Sequence, residues 1–156
     1  MKRPALILFF CLINYSILTA CSCTRGARLV KKELERSTLV VVGTVISIKK
    51  VTSTIQWQKD KPLSSIDFYK VKLKVEQTFK GKKKQKYLTI YTGRGKGDCG
   101  FVFRKQQQYI VYTNKQASPF MRQGNSSKGF KSSLWTDICT RTQALNPVEL
   151  AALNKL

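Results

Sequence analysis

Residues 69–77, YKVKLKVEQ, alternate without a break. Tyr69, Val71, Leu73 and Val75 fall on one side of an extended chain, and Lys70, Lys72, Lys74 and Glu76 on the other. A period of two belongs to a strand with one face buried and one in water. Upstream, TLVVVGTVISIKKV is rich in β-branched residues and predicts a strand, with Gly43 at its middle marking a bulge or sharp bend. The polar run KGKKKQK predicts a turn, and YLTIYTG behind it completes a hairpin; GFVF and QYIVYTN predict two more short strands. Helical spacing occurs at both ends. In ARLVKKELERS, Val30 and Leu34 stand four apart beside Leu29; in NPVELAALNKL, Asn146 can cap, Pro147 suits the first helical position and Glu149 follows the cap by three. Two long loops are expected, one at residues 51–66 with Trp57 and Pro62, the other at QASPFMRQGNSSKGFKSS. The expected fold is mainly β: five short strands flanked by short helices and closed into a small barrel.

The first twenty residues stand outside this pattern. Lys2 and Arg3 precede a stretch that is apolar apart from Asn14, Tyr15, Ser16 and Thr19, the layout of a secretory signal peptide. Residues 1–20 would then be removed, leaving a single domain at 21–156. That domain keeps Cys21, Cys23, Cys99 and Cys139, an even number that reads in an exported protein as two disulfides with three possible pairings.

Charge narrows the partners. Without Lys2 and Arg3, 27 basic residues remain against 8 acidic ones, a formal net charge of +19. Such an excess favours an anionic partner, an acidic glycan or an anionic envelope surface. Nucleic acid is not the expected one: the chain is exported, and its 21 lysines outnumber the 8 arginines that bidentate phosphate and base recognition favours. The absence of histidine excludes Ser-His-Asp and Cys-His catalysis and the His-based zinc motifs. The eight carboxylates are scattered, and TGRGKGDCG lacks the Gly-Lys-Ser/Thr ending of a phosphate-binding loop. Neither an enzyme nor a resident cofactor is expected.

Taken in order, CSC at residue 21, LVVVGTV, YKVKLKVEQTFKG, LTIYTG, CGFVF, YIVY and CTRT resemble a netrin-like domain, and in particular the N-terminal domain of the tissue inhibitors of metalloproteinases. The resemblance runs from Cys21 to about Thr142. It implies the five-stranded OB-type barrel and the pairing Cys21–Cys99 and Cys23–Cys139. It also implies a function. The α-amino group and carbonyl oxygen of an N-terminal Cys21 would chelate the zinc of a target protease, displacing its nucleophilic water. Ser22 would enter the primary specificity pocket, with Cys23 and Thr24 lying along the cleft. The animal inhibitors add a third disulfide and a second, cysteine-rich domain, neither of which appears here.

Leu18, Thr19, Ala20 and Cys21 also fit the lipobox of bacterial lipoproteins. In that alternative Cys21 carries a lipid on sulfur and reaches a membrane only through it, while the rest of the chain is a basic binding module. The two fates exclude each other, since a thioether cannot form a disulfide and an acylated nitrogen is a poor zinc ligand. NSS at residues 125–127 also fits a glycosylation acceptor.

Overall fold

The computed structural model describes residue 23 and residues 29–55, 62, 64–82, 85–95, 97–115 and 133–156. The proposed signal peptide, Cys21, Ser22, Thr24, the NSS tripeptide and most of the second long loop lie outside them. Along the chain come α1 (Val30–Arg36), β1 (Leu39–Ile55), β2 (Ser64–Lys80), β3 (Tyr87–Thr92), β4 (Gln108–Thr113), β5 (Gln143–Ala144) and α2 (Pro147–Asn154). The five strands form one antiparallel sheet in the order β3-β2-β1-β4-β5.

The expected alternation in β2 is present: Val71 and Leu73 are buried, while Lys70, Lys72 and Lys74 are exposed. β1 is buried on both sides instead. Leu39, Val41 and Val45 enter a core with Val71, Leu73, Leu88, Ile90 and Val111. Val40 and Val42 point the other way, to Ile110, Tyr112 and Leu153, with Val30 and Leu34 of α1 packed against them. A central strand between two apolar layers reads as a continuous hydrophobic run, hence LVVV. Gly43 sits at a register shift between β1 and β2, and a Cβ there would lie 2.7 Å from the Lys74 carbonyl oxygen. Lys80 closes α1 by donating from Nζ to the carbonyls of Leu34 and Glu35 (2.9 and 2.6 Å), which places its charge at the helix's negative end.

Three expectations need correction. The sheet is not closed: β3 and β5 are its edges, and β5 is only two residues long. Where a closing ladder would run, Trp135 makes two isolated bridges, parallel to Tyr91 and antiparallel to Asn114, which is too short a contact to zip the edges together. GFVF is not a strand. The Phe101 N–H donates to Thr92 Oγ1 (2.7 Å), the Phe101 carbonyl accepts from the same hydroxyl (3.3 Å), and the Arg104 N–H donates to the Tyr109 hydroxyl (2.8 Å). Side chains thus take up the Phe101 backbone and the N–H just past GFVF, while Phe101 and Phe103 pack edge-on against each other and Tyr109. The loop expected at residues 51–66 is shorter, because the β1–β2 ladder runs out to Ile55 and Ser64.

Candidate functional site

The three described cysteines meet at one corner, and two aspartates put them there. After β3 the chain enters GRGKGDCG, where the Asp98 carboxylate accepts from the backbone N–H groups of Arg94, Gly95 and Gly100 at 2.6, 2.8 and 3.1 Å. Burial works to raise the Asp98 carboxyl, but these donors and the Arg94 charge outweigh it and hold the group below its ordinary value. The turn so wound needs left-handed backbone at Gly95, Gly97 and Cys99, with φ of 75°, 85° and 59°. Gly93 and Gly100 come into backbone contact across it.

The second turn is built the same way. Asp137 Oδ1 accepts from the N–H groups of Cys139 and Thr140, both at 2.9 Å, an Asx turn that aims Cys139. The two turns are joined by a backbone hydrogen bond in which the Ile138 N–H donates to the Cys99 carbonyl at 3.0 Å. Cys139 is bonded to Cys23, with Cα atoms 5.3 Å apart. Cys99 is disulfide-bonded as well. The corner therefore ties the start of the domain to residues 116 positions further along. Crosslinks over loops of this length contribute about 4–5 kcal/mol in the chain-entropy model, often less in practice. Cys139→Ser is expected to destabilise the domain by about 2–5 kcal/mol, read from the midpoint of denaturant unfolding.

Of the residues expected at the protease-binding edge, only Cys23 is described, exposed and held by Cys139. Cys21, Ser22 and Thr24 lie outside the described residues. Sequence reasoning missed Asp98 and Asp137 by counting the carboxylates as scattered. The available signal was turn chemistry, an Asp one or two residues before each of two cysteines.

The rest of CTRT is also in use. Arg141 donates from Nε to Glu149 Oε1 at 2.8 Å and pairs through a second nitrogen with Oε2. The Thr142 hydroxyl accepts from the Tyr112 N–H (2.9 Å) and donates to the Tyr112 carbonyl (3.1 Å), docking this segment on β4.

Among the described residues no group of three or more Cys, Asp or Glu side chains is placed to hold a metal ion. No described helix is long and apolar enough to cross a membrane. The disulfide is compatible with an extracytoplasmic location. Comparison with known proteins finds no family model that matches the chain and no curated protein similar to it.

Proposed function

We propose that this chain is an exported, metalloproteinase-inhibitor-like protein that acts through a free N-terminal Cys21. The observation that carries the reading is the Cys23–Cys139 bond, which is the one of the three possible pairings that the resemblance to the inhibitors implies. Cys99 supports it. Cys99 is in a disulfide, Cys23 and Cys139 are consumed by each other, and Cys21 is the remaining cysteine of the proposed mature chain. That arrangement favours a disulfide over a lipid thioether at the sulfur of Cys21, and leaves its α-amino group free. Two bonds at one corner would hold residues 21–24 as a rigid wedge, reducing the ordering cost of entering a protease cleft. The α-amino nitrogen and carbonyl oxygen of Cys21 would then take two positions on the target's zinc, with Ser22 in the specificity pocket and Cys23 and Thr24 beside the substrate cleft.

The intact, non-reduced mass comes first. A mass equal to residues 21–156 less four hydrogens is expected; a lipid increment on Cys21 would end the inhibitor reading and leave the anchored basic module. Against a panel of zinc endopeptidases, one alanine added before Cys21 is expected to weaken inhibition by more than about a hundredfold, or roughly 3 kcal/mol of lost coordination. Coordination requires the neutral amine, and a free α-amino group titrates at about 7.7–8.0, so inhibition should weaken as pH falls below about 7. Inhibition that stays flat from about pH 8 to pH 5.5 would count against the amine as ligand.

A further inference from the structure

The exposed face of the sheet at β1–β2–β3 carries a row of lysines. Lys70, Lys72 and Lys74 project from it on alternate positions of β2, about 6.6–6.8 Å apart along the strand. Lys49 of β1 lies directly opposite Lys70, so two like charges face each other across the ladder. Such a pair destabilises a sheet. All four lysines are exposed, and none makes an ion pair among the described residues. The contrast with the next residue is plain: Lys50 lies 2.8 Å from the Asp67 carboxylate. Glu76, the acid that continues the row, instead accepts from Thr44 and Gln108. The sequence thus keeps a like-charged row with no ion pair among the described residues, at a cost to the fold. Local choices that work against stability are the ones expected at functional sites.

The flanks of the row decide what fits it. Thr44 and Ser47 on β1 pair with Lys74 and Lys72, and Thr89 on β3 pairs with Lys72, so Ser and Thr flank Lys72 on both sides and Lys74 on one. Among the described residues this face offers bases little to stack on: Phe68 and Trp135 are buried, and Tyr87, 44% exposed, already has the amine of Lys72 4.8 Å from its ring centroid. A membrane would need several exposed apolar side chains to insert beside the cations, and among the residues paired with these lysines Tyr87, opposite Lys74, is the single large exposed one. We propose that Lys49, Lys70, Lys72 and Lys74 form a binding strip for a linear acidic polysaccharide, whose anionic groups pair with the amines and whose hydroxyls meet Ser47 and Thr89. This rests on the basic-module alternative and not on the wedge.

The test uses the mature protein and heparin as the sulfated polysaccharide, with affinity measured across a salt series. The triple variant Lys70→Gln, Lys72→Gln, Lys74→Gln is expected to lose about tenfold or more in affinity at physiological salt. The slope of log affinity on log salt should fall by about 2–3 units, one phosphate-type contact per lysine. A charge-matched control, Lys31→Gln, Lys32→Gln, Lys105→Gln, should leave the slope nearly unchanged. Removing the Lys49–Lys70 opposition should also leave the melting temperature of the strip variant at or above that of the parent, so weaker binding cannot be laid to misfolding. Equal losses in the two triples would mean a diffuse field and overturn the strip. Tighter binding to 3:1 phosphatidylcholine–phosphatidylserine vesicles or to a single-stranded oligonucleotide than to heparin would overturn the polysaccharide. The alanine-extended N-terminus should bind heparin unchanged, so failure of the wedge and failure of the strip are read separately.

Discussion

Glu149→Ala is expected to destabilise the domain by about 3–5 kcal/mol, lowering its melting temperature by roughly 10–15 °C. Glu149 is 4% exposed although it stands in the first turn of α2. It does not turn back to the helix cap. Asn146 caps α2 by accepting from the N–H groups of Val148 and Glu149, while the Glu149 carboxylate points inward to Arg141 and the Tyr112 hydroxyl, 2.6 Å away. Truncation would leave the partly buried Arg141 guanidinium and the buried Tyr112 hydroxyl facing a void. The double variant Glu149→Leu, Arg141→Met tests the mechanism, because removing both charges together should recover most of the loss. A double variant as unstable as the single one would place the cost in packing instead.

The same carboxylate links stability to acid. Burial pushes Glu149 up, but the hydrogen bonds from Arg141 and Tyr112 and the guanidinium's charge prevail, and its folded value lies below the ordinary 4.5. A group depressed in the folded state binds its proton more readily when unfolded, so its contribution rises with pH. It is fully present above about 4.5 and is lost as pH falls through the folded value. Denaturant titrations of the parent and Glu149→Gln at pH 7 and pH 3 should therefore show a stability gap that narrows in acid. A gap that is constant with pH would mean that Glu149 is not ionised in the fold.

Gly100→Ala is expected to cost about 3 kcal/mol or more and to depress the yield of correctly bonded protein. A Cβ at this position would lie 2.1 Å from the carbonyl carbon of Gly93 and 2.3 Å from its oxygen. Both are backbone atoms of the residue just after β3, with no flexible side chain to give way. The strain would fall on the turn that Asp98 winds, and so on Cys99 and its link to Ile138. Gly97→Ala in the same loop is the graded control. Its φ of 85° disfavours a Cβ, which predicts a smaller loss of about 1–2 kcal/mol. Urea unfolding and a count of free thiols check both. Parent-like stability with no free thiol in Gly100→Ala would show that the Gly93–Gly100 contact is not needed.

Much of this fold can be read from local pattern. The β2 alternation, the β-branched run of β1 and the cap of α2 are each decided by near neighbours in sequence, and each appears where expected. Gly43 marks a bulge because a side chain there would strike the adjoining strand. What failed was the reading of apolar pieces whose fate depends on distant ones. GFVF has strand composition, yet the Thr92 hydroxyl takes the Phe101 backbone and the Tyr109 hydroxyl the N–H of Arg104 just after it. β5 is two residues of QA with no pattern of its own, formed because Thr142 is docked on Tyr112 one position before it.

The sequence by itself determined the mainly β class, the two terminal helices, the cysteine set and the basic excess, all carried by composition and by periods of a few residues. Tertiary structure alone decided that the sheet stays open, since closure depends on how many residues of the Trp135 segment reach both Tyr91 and Asn114. It also decided that two aspartate-wound turns bring Cys23, Cys99 and Cys139 to one corner. The lysine row came half from each source. Alternation put three lysines on one face of β2, but only the pairing register set Lys49 opposite Lys70. Register joins residues far apart along the chain, and no local period encodes it.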